Sequence, residues 1–157
     1  VNLLRLEQLT GEHGYRVRAE RGFAAFAGLL QTAGVAVPKM LAALDFYLDR
    51  PLQVVIVKPT RVPPDLPTLL APVRSTFVPN RVLCVVQQGA ELDEQAKHVP
   101  LLAGKTARGG KTTAYVCRGN VCERPTSDAV VLATQLREVH KLEGYKTPAR
   151  VRLQGGR

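Results

Sequence analysis

Two of the three cysteines stand close together in the run Gly110-Lys-Thr-Thr-Ala-Tyr-Val-Cys-Arg-Gly-Asn-Val-Cys122. Cys117 ends an apolar, β-prone stretch, Ala114-Tyr115-Val116. Arg118-Gly119-Asn120 can reverse the chain, since Gly and Asn tolerate positive φ. Val121 and Cys122 then run back. Thiols placed across such a turn have three chemistries open to them. They can pack as unreactive free thiols, as buried Cys commonly does. They can form a structural or reversible disulfide, which needs Cβ atoms within ~4 Å. They can also join a metal site, although zinc wants four ligands. The C-x-x-C spacing of a thioredoxin-type site is absent, and these cysteines flank a turn rather than open a helix. Cys84 lies in the apolar run Arg81–Val86 and is expected to be buried away from the pair.

Other chemistry-bearing residues are sparse. Asp45 sits between apolar neighbours and is a candidate cavity carboxylate. Glycosidase-like chemistry needs a second acid opposite the first, and none stands in an obvious partner position. A capping or ion-paired Asp45 is the simpler reading. His13, His98 and His140 form no metal-binding spacing. Gly104-Lys105-Thr106 and Gly110-Lys111-Thr112 resemble the end of a phosphate-binding loop, but the required earlier glycine is replaced by Val99 and Lys105. No catalytic residue, cofactor site or metal site is assigned.

The elements that position these residues follow from periodicity. Val1, Leu4 and Leu9 share a helical face, closed by Thr10-Gly11. Tyr15, Ala19, Phe23, Phe26 and Leu30 predict a second helix over Gly14–Leu30, with Gly22 in its middle. Pro38–Leu48 is a third, opened by Pro38. The period then changes. Gln53–Val57 reads as a strand covered on both faces. Asp65 caps a helix with Leu66, Leu69, Leu70, Val73 and Phe77 inside, which Pro72 should kink or divide. Arg81–Val86 is the next strand, completing a βαβ unit with parallel strands. Glu91–Val99 is a short helix. Thr112–Val116 and Val121–Glu123 pair as a hairpin. A last helix starts at Thr126 or Ser127 and buries Ala129, Leu132, Ala133 and Leu136.

The 157 residues carry a net charge of +9 and are 45% hydrophobic with no Trp, so a core of Leu, Val and Ala is expected. The cations are scattered without aromatic interleaving, so a nucleic-acid partner is not expected. No apolar run approaches the ~20 residues that span a bilayer. Three cysteines without a framework pattern point to a reducing compartment, and a cytoplasmic location is expected. The chain opens at Val1 directly in an apolar helical pattern, which reads as a segment of a longer protein.

Three ordered blocks carry a resemblance. They are Asn2-Leu-Leu-Arg-Leu6 with Leu9-Thr-Gly-Glu12; Met40-Leu-Ala-Ala-Leu-Asp-Phe46 leading into Val54–Val57; and Gly110–Cys117 with Cys122 and Pro125-Thr126. Residues 1–138 thereby resemble the C-terminal part of the spermatogenesis-associated, thioredoxin-domain-containing protein family. Pro72 and the basic tail depart from that pattern. The resemblance implies a thioredoxin-like domain followed by an (α/α)6 toroid similar to six-hairpin glycosidases, with an α/β segment packed on it.

The chain is therefore expected to be mixed α/β. Residues 1–49 form a helical hairpin and third helix ending a toroid. Residues 50–139 form a βαβ-containing segment with a C-terminal helix, and residues 140–157 a basic, poorly ordered tail. The partners implied are the rest of the toroid, the thioredoxin-like domain, and further copies of the chain through exposed apolar surface. The function implied is that of a non-catalytic scaffold in a protein linked to carbohydrate metabolism or thiol redox. The alternatives are a thiol-redox module using Cys117 and Cys122, and a basic nucleic-acid-binding domain.

Overall fold

The computed structural model describes residues 1–61, 65–119 and 121–137. The basic tail, Asn120 and part of the proline-rich loop lie outside the described residues. Four helices come first: α1 (Asn2–Thr10), α2 (His13–Ala25), α3 (Ala27–Ala33) and α4 (Pro38–Leu48). Then follow β1 (Leu52–Lys58), α5 (Leu66–Ser75), β2 (Arg81–Gln87), α6 (Ala90–Ala96), β3 (Thr113–Arg118), β4 (Val121–Cys122) and α7 (Ala129–Arg137).

The strands form one sheet in the order β2-β1-β3-β4. β1 and β2 run parallel, as a βαβ unit requires, while β3 is antiparallel to β1 and to β4. Residues Leu52–Val57 are buried on both faces, which explains their unbroken apolar character. Alternation sends Leu52, Val54 and Ile56 to one face, against Leu69 and Val73 of α5 and Leu132 and Leu136 of α7. Val55 and Val57 face the other way, toward Leu92, Leu102 and Tyr115.

The helical layer covers that second face beside β2. Leu4, Phe46 and Val82 form its buried centre. α1 stops where Gly11 takes φ 72° and its N–H reaches Glu7 O at 2.8 Å. α2 is held to α4 by a clasp around Tyr47. Phe23 meets its ring edge-on, with centroids 5.5 Å apart, Arg16 lies 4.3 Å from the ring centroid, and Tyr47 Oη donates to Glu20 at 2.8 Å.

Several expectations need correction. The second helix is not continuous to Leu30: it breaks at Phe26, where φ is −108° and ψ 13°. Ala19 and Phe23 pack on the Leu4–Phe46 centre, but Phe26 is 47% exposed and α3 contains no buried residue, so little packing holds the second half of the stripe to the axis of the first. Pro72 does not divide α5, which runs unbroken to Ser75 with Pro72 buried. Its burial, like that of Leu69 and Val73 on the same helix, works against the roughly 3 kcal/mol that a helical proline costs. Phe77 is 90% exposed because the chain turns extended at Thr76, ending the helical stripe.

Two expected caps also differ. Asp65 makes no capping bond; its carboxylate accepts from the N–H (3.1 Å) and hydroxyl (2.6 Å) of buried Thr112. The cap of α7 is Asp128, whose Oδ1 accepts from Val130 N–H at 2.7 Å and Val131 N–H at 3.2 Å. Thr126 acts one step earlier, accepting the N–H of Asp128 at 3.0 Å.

Gly22 lies within α2, and a Cβ built there meets nothing within 4 Å. Gly22→Ala should therefore stabilise the chain by about 0.5–1 kcal/mol, through lost freedom of the unfolded state. Denaturant unfolding with an unchanged slope and a higher midpoint checks this.

Candidate functional site

The β3–β4 hairpin brings the two cysteines together. The register sets Cys117 opposite Cys122 and Arg118 opposite Val121, so the chain reverses between Arg118 and Val121. Gly119 takes φ 57°, a conformation that favours glycine. Cys117 and Cys122 are joined as a disulfide with Cα atoms 3.9 Å apart. Cys117 is buried under the sheet's second face and Cys122 is exposed.

On its other side Cys117 pairs with Gln53 of β1. Gln53 donates to Gln8 Oε1 at 3.1 Å, tying the sheet to the last turn of α1. The disulfide, Gln8, Gln53, Leu101 and Lys105 line a cavity of about 480 Å³. Lys105 donates to Leu101 O at 2.6 Å, and burial, partly opposed by the nearby Tyr115, lowers its pKa. Tyr115 fixes the loop that carries Lys105. Its hydroxyl donates to Thr106 O at 2.7 Å and accepts Thr106 N–H at 3.0 Å. Burial opposes ionisation of Tyr115, but the hydrogen bonds from Thr106 and the nearby Arg108 outweigh it and lower its pKa.

This arrangement can exchange electrons with thiols. A thiolate reaching one sulfur would release the other as a thiolate. Among the described residues Lys105 supplies the one cationic side chain in the cavity lining. Among the described residues no group of three His, Cys, Asp or Glu gathers to hold a metal ion.

The other residues singled out by sequence lie elsewhere. Cys84 is half-buried on β2 rather than fully buried, because β2 is the sheet's edge; burial still pushes its thiol pKa up. Asp45 is exposed on α4 and, among the described residues, neither caps nor ion-pairs. It accepts from Asn80 Nδ2 at 2.8 Å, and Asp49 accepts from the same nitrogen at 2.9 Å. A second acid does accompany Asp45, one helical turn on, and the two share a buried amide that anchors α4 to the start of β2. Asn80 was missed in the sequence because a lone Asn before a strand reads as a turn residue. His13 and His98 are exposed, and His140 lies outside the described residues. No single helix among the described residues is long and apolar enough to cross a membrane.

The fold is thus a mixed α/β unit: a helical layer on a four-stranded sheet whose last hairpin is closed by a disulfide. Its sequence is similar to spermatogenesis-associated protein 20 of Homo sapiens, 28% identical over 127 residues that make up 81% of this chain and 16% of that protein. The Rattus norvegicus protein of the same name is 28% identical over 137 residues, 87% of this chain and 17% of its own length. A Caenorhabditis elegans protein is 29% identical over 128 residues, 79% of this chain and 16% of its own. These similarities agree with the resemblance carried by the three sequence blocks. The chain spans about a sixth of the length of these curated relatives. No family model matches the chain, and no solved structure matches it significantly.

Proposed function

We propose that this chain is a non-catalytic scaffold segment of a larger protein, docking through its helical layer onto further helices of that protein. The observation that supports this is the uncovered apolar surface of the layer. Val35 is 90% exposed, Leu48 69% and Phe26 47%, and neither α2 nor α3 contains a fully buried residue. Nearby, Leu3, Ala19, Phe23, Val37, Met40 and Ala43 line an apolar groove of about 600 Å³. Exposed patches of this kind mark interaction sites. In the family resembled, the docking partners are the remaining toroid helices and a thioredoxin-like domain, and the whole protein would serve carbohydrate metabolism or thiol redox chemistry.

The isolated chain should self-associate at micromolar concentration and bind an apolar dye. Phe26→Glu with Val35→Glu should abolish both without unfolding it. Sedimentation showing a dye-silent monomer at every concentration would overturn the proposal.

A second reading, reversible redox chemistry at Cys117–Cys122, is favoured by the exposure of Cys122 beside the cavity. It also reconciles the disulfide with the expected reducing compartment, where lasting disulfides are rare and transient ones are catalytic or sensory.

A further inference from the structure

Among the described residues β2 is an edge strand, paired only with β1. Leu52 N–H bonds Asn80 O and Gln88 N–H bonds Lys58 O at the two ends of the parallel ladder. The alternation between them turns the even-numbered residues of β2 toward β1. The peptide groups of Arg81, Leu83 and Val85 therefore face away from the sheet. Gln87 follows the same rule, its N–H turned outward to Glu91. An open row of this kind is a template for another strand.

A groove of about 700 Å³ adjoins this edge, walled by α1 on one side and the end of α5 on the other. Arg5, Arg74 and Arg81 line it with Phe77, Leu83 and Leu9, and among the described residues the lining holds no carboxylate. None of the three arginines forms an ion pair among the described residues. Phe77 and Leu83, 90% and 41% exposed, present apolar surface along it.

We infer that this groove binds an extended, acidic segment of a partner protein, which adds as a strand to the free edge of β2. Main-chain bonds to Leu83 and Val85 would supply affinity, and alternate side chains would supply specificity. Acidic residues would meet the three arginines, and apolar ones Phe77 and Leu83. A second copy of this chain does not fit, because its like groove would oppose arginine to arginine in a chain of net charge +9. Single-stranded nucleic acid would satisfy the arginines but not the row of open peptide groups. This surface is separate from the apolar face of α2 and α3, so either interaction can fail without the other.

The test uses the full chain and a fluorescein-labelled peptide of alternating Glu and Val, about eight residues long to match a strand. Fluorescence anisotropy should show saturable binding. Raising salt from about 0.1 M to about 1 M, which shortens the Debye length from ~10 to ~3 Å, should weaken it. Arg74→Glu and Arg5→Glu lie on exposed positions and should each weaken binding about tenfold or more. The same peptide N-methylated at alternate residues should not bind, and neither should a Lys-Val version. Leu83→Pro, which removes one outward N–H and is tolerable on an edge, should weaken binding with no loss of thermal stability. Equal binding of the N-methylated peptide, indifference to both arginine reversals, or full displacement by an oligothymidylate at equal concentration would each overturn the inference.

Discussion

Phe46→Ala should cost about 3–5 kcal/mol, the range for truncating a buried aromatic. Phe46 is 2% exposed and sits between Leu4 and Val82, where the helical layer meets the sheet. Because a domain is stable by only about 5–15 kcal/mol, the variant should lose most of its margin. The loss should also be directional. Hydrogen exchange should rise first in α1 and α4, while the β1 amides, whose core faces α5 and α7, stay protected longest. Uniform loss of protection would mean that the helical layer and the sheet unfold as one unit; an unchanged melt would mean that the Phe46 contact contributes nothing.

Opening the disulfide is the second large effect. Closing a loop as short as that between Cys117 and Cys122 is worth about 2 kcal/mol on the chain-entropy account. Reduction, or Cys122→Ser, should lower the melting temperature by roughly 5–10 °C. Thiol titration should find one free thiol without reductant and three with it. Cys84 should react more slowly than an ordinary thiol at neutral pH, because burial holds its pKa up and little thiolate is present. If the bond is purely structural, only stability changes. If it is a redox element, the pair should also equilibrate reversibly with a thiol buffer while the fold persists. Three free thiols without reductant would rule out both.

What could be read in the sequence was what depends on local pattern. Pro38–Leu48 appears with the expected bounds because a proline at its first turn and Arg50-Pro51 just beyond it leave little choice. β1 and β2 were legible because short Val-rich runs bounded by Pro51 and Pro59, and by Pro79 and Gly89, have few other uses. The turn at Gly119 located the cysteine pair for the same reason. Long-range polar partners were not legible. Asp65 was read as a local cap, yet it serves Thr112 across the fold, and no sequence rule weighs a cap against a distant hydroxyl. Asn80 joins Asp45 and Asp49 only because tertiary packing brings β2 under α4. The break at Phe26 was hidden because periodicity records where apolar residues fall, not whether anything packs on them.

The place of β1 in the sheet has a kinetic consequence. It precedes the other three strands of its sheet in the chain, but it sits inside the sheet, and its antiparallel partner begins only at Thr113. Contacts between such distant segments form late, because loop-closure entropy must be met first. Until β3 arrives, Val54-Val55-Ile56-Val57 presents one unpaired edge with no charge to guard it, the composition that favours intermolecular strand pairing. Nascent or refolding chains should therefore pass through a concentration-sensitive stage, and the yield of native protein on dilution from denaturant should fall as chain concentration rises.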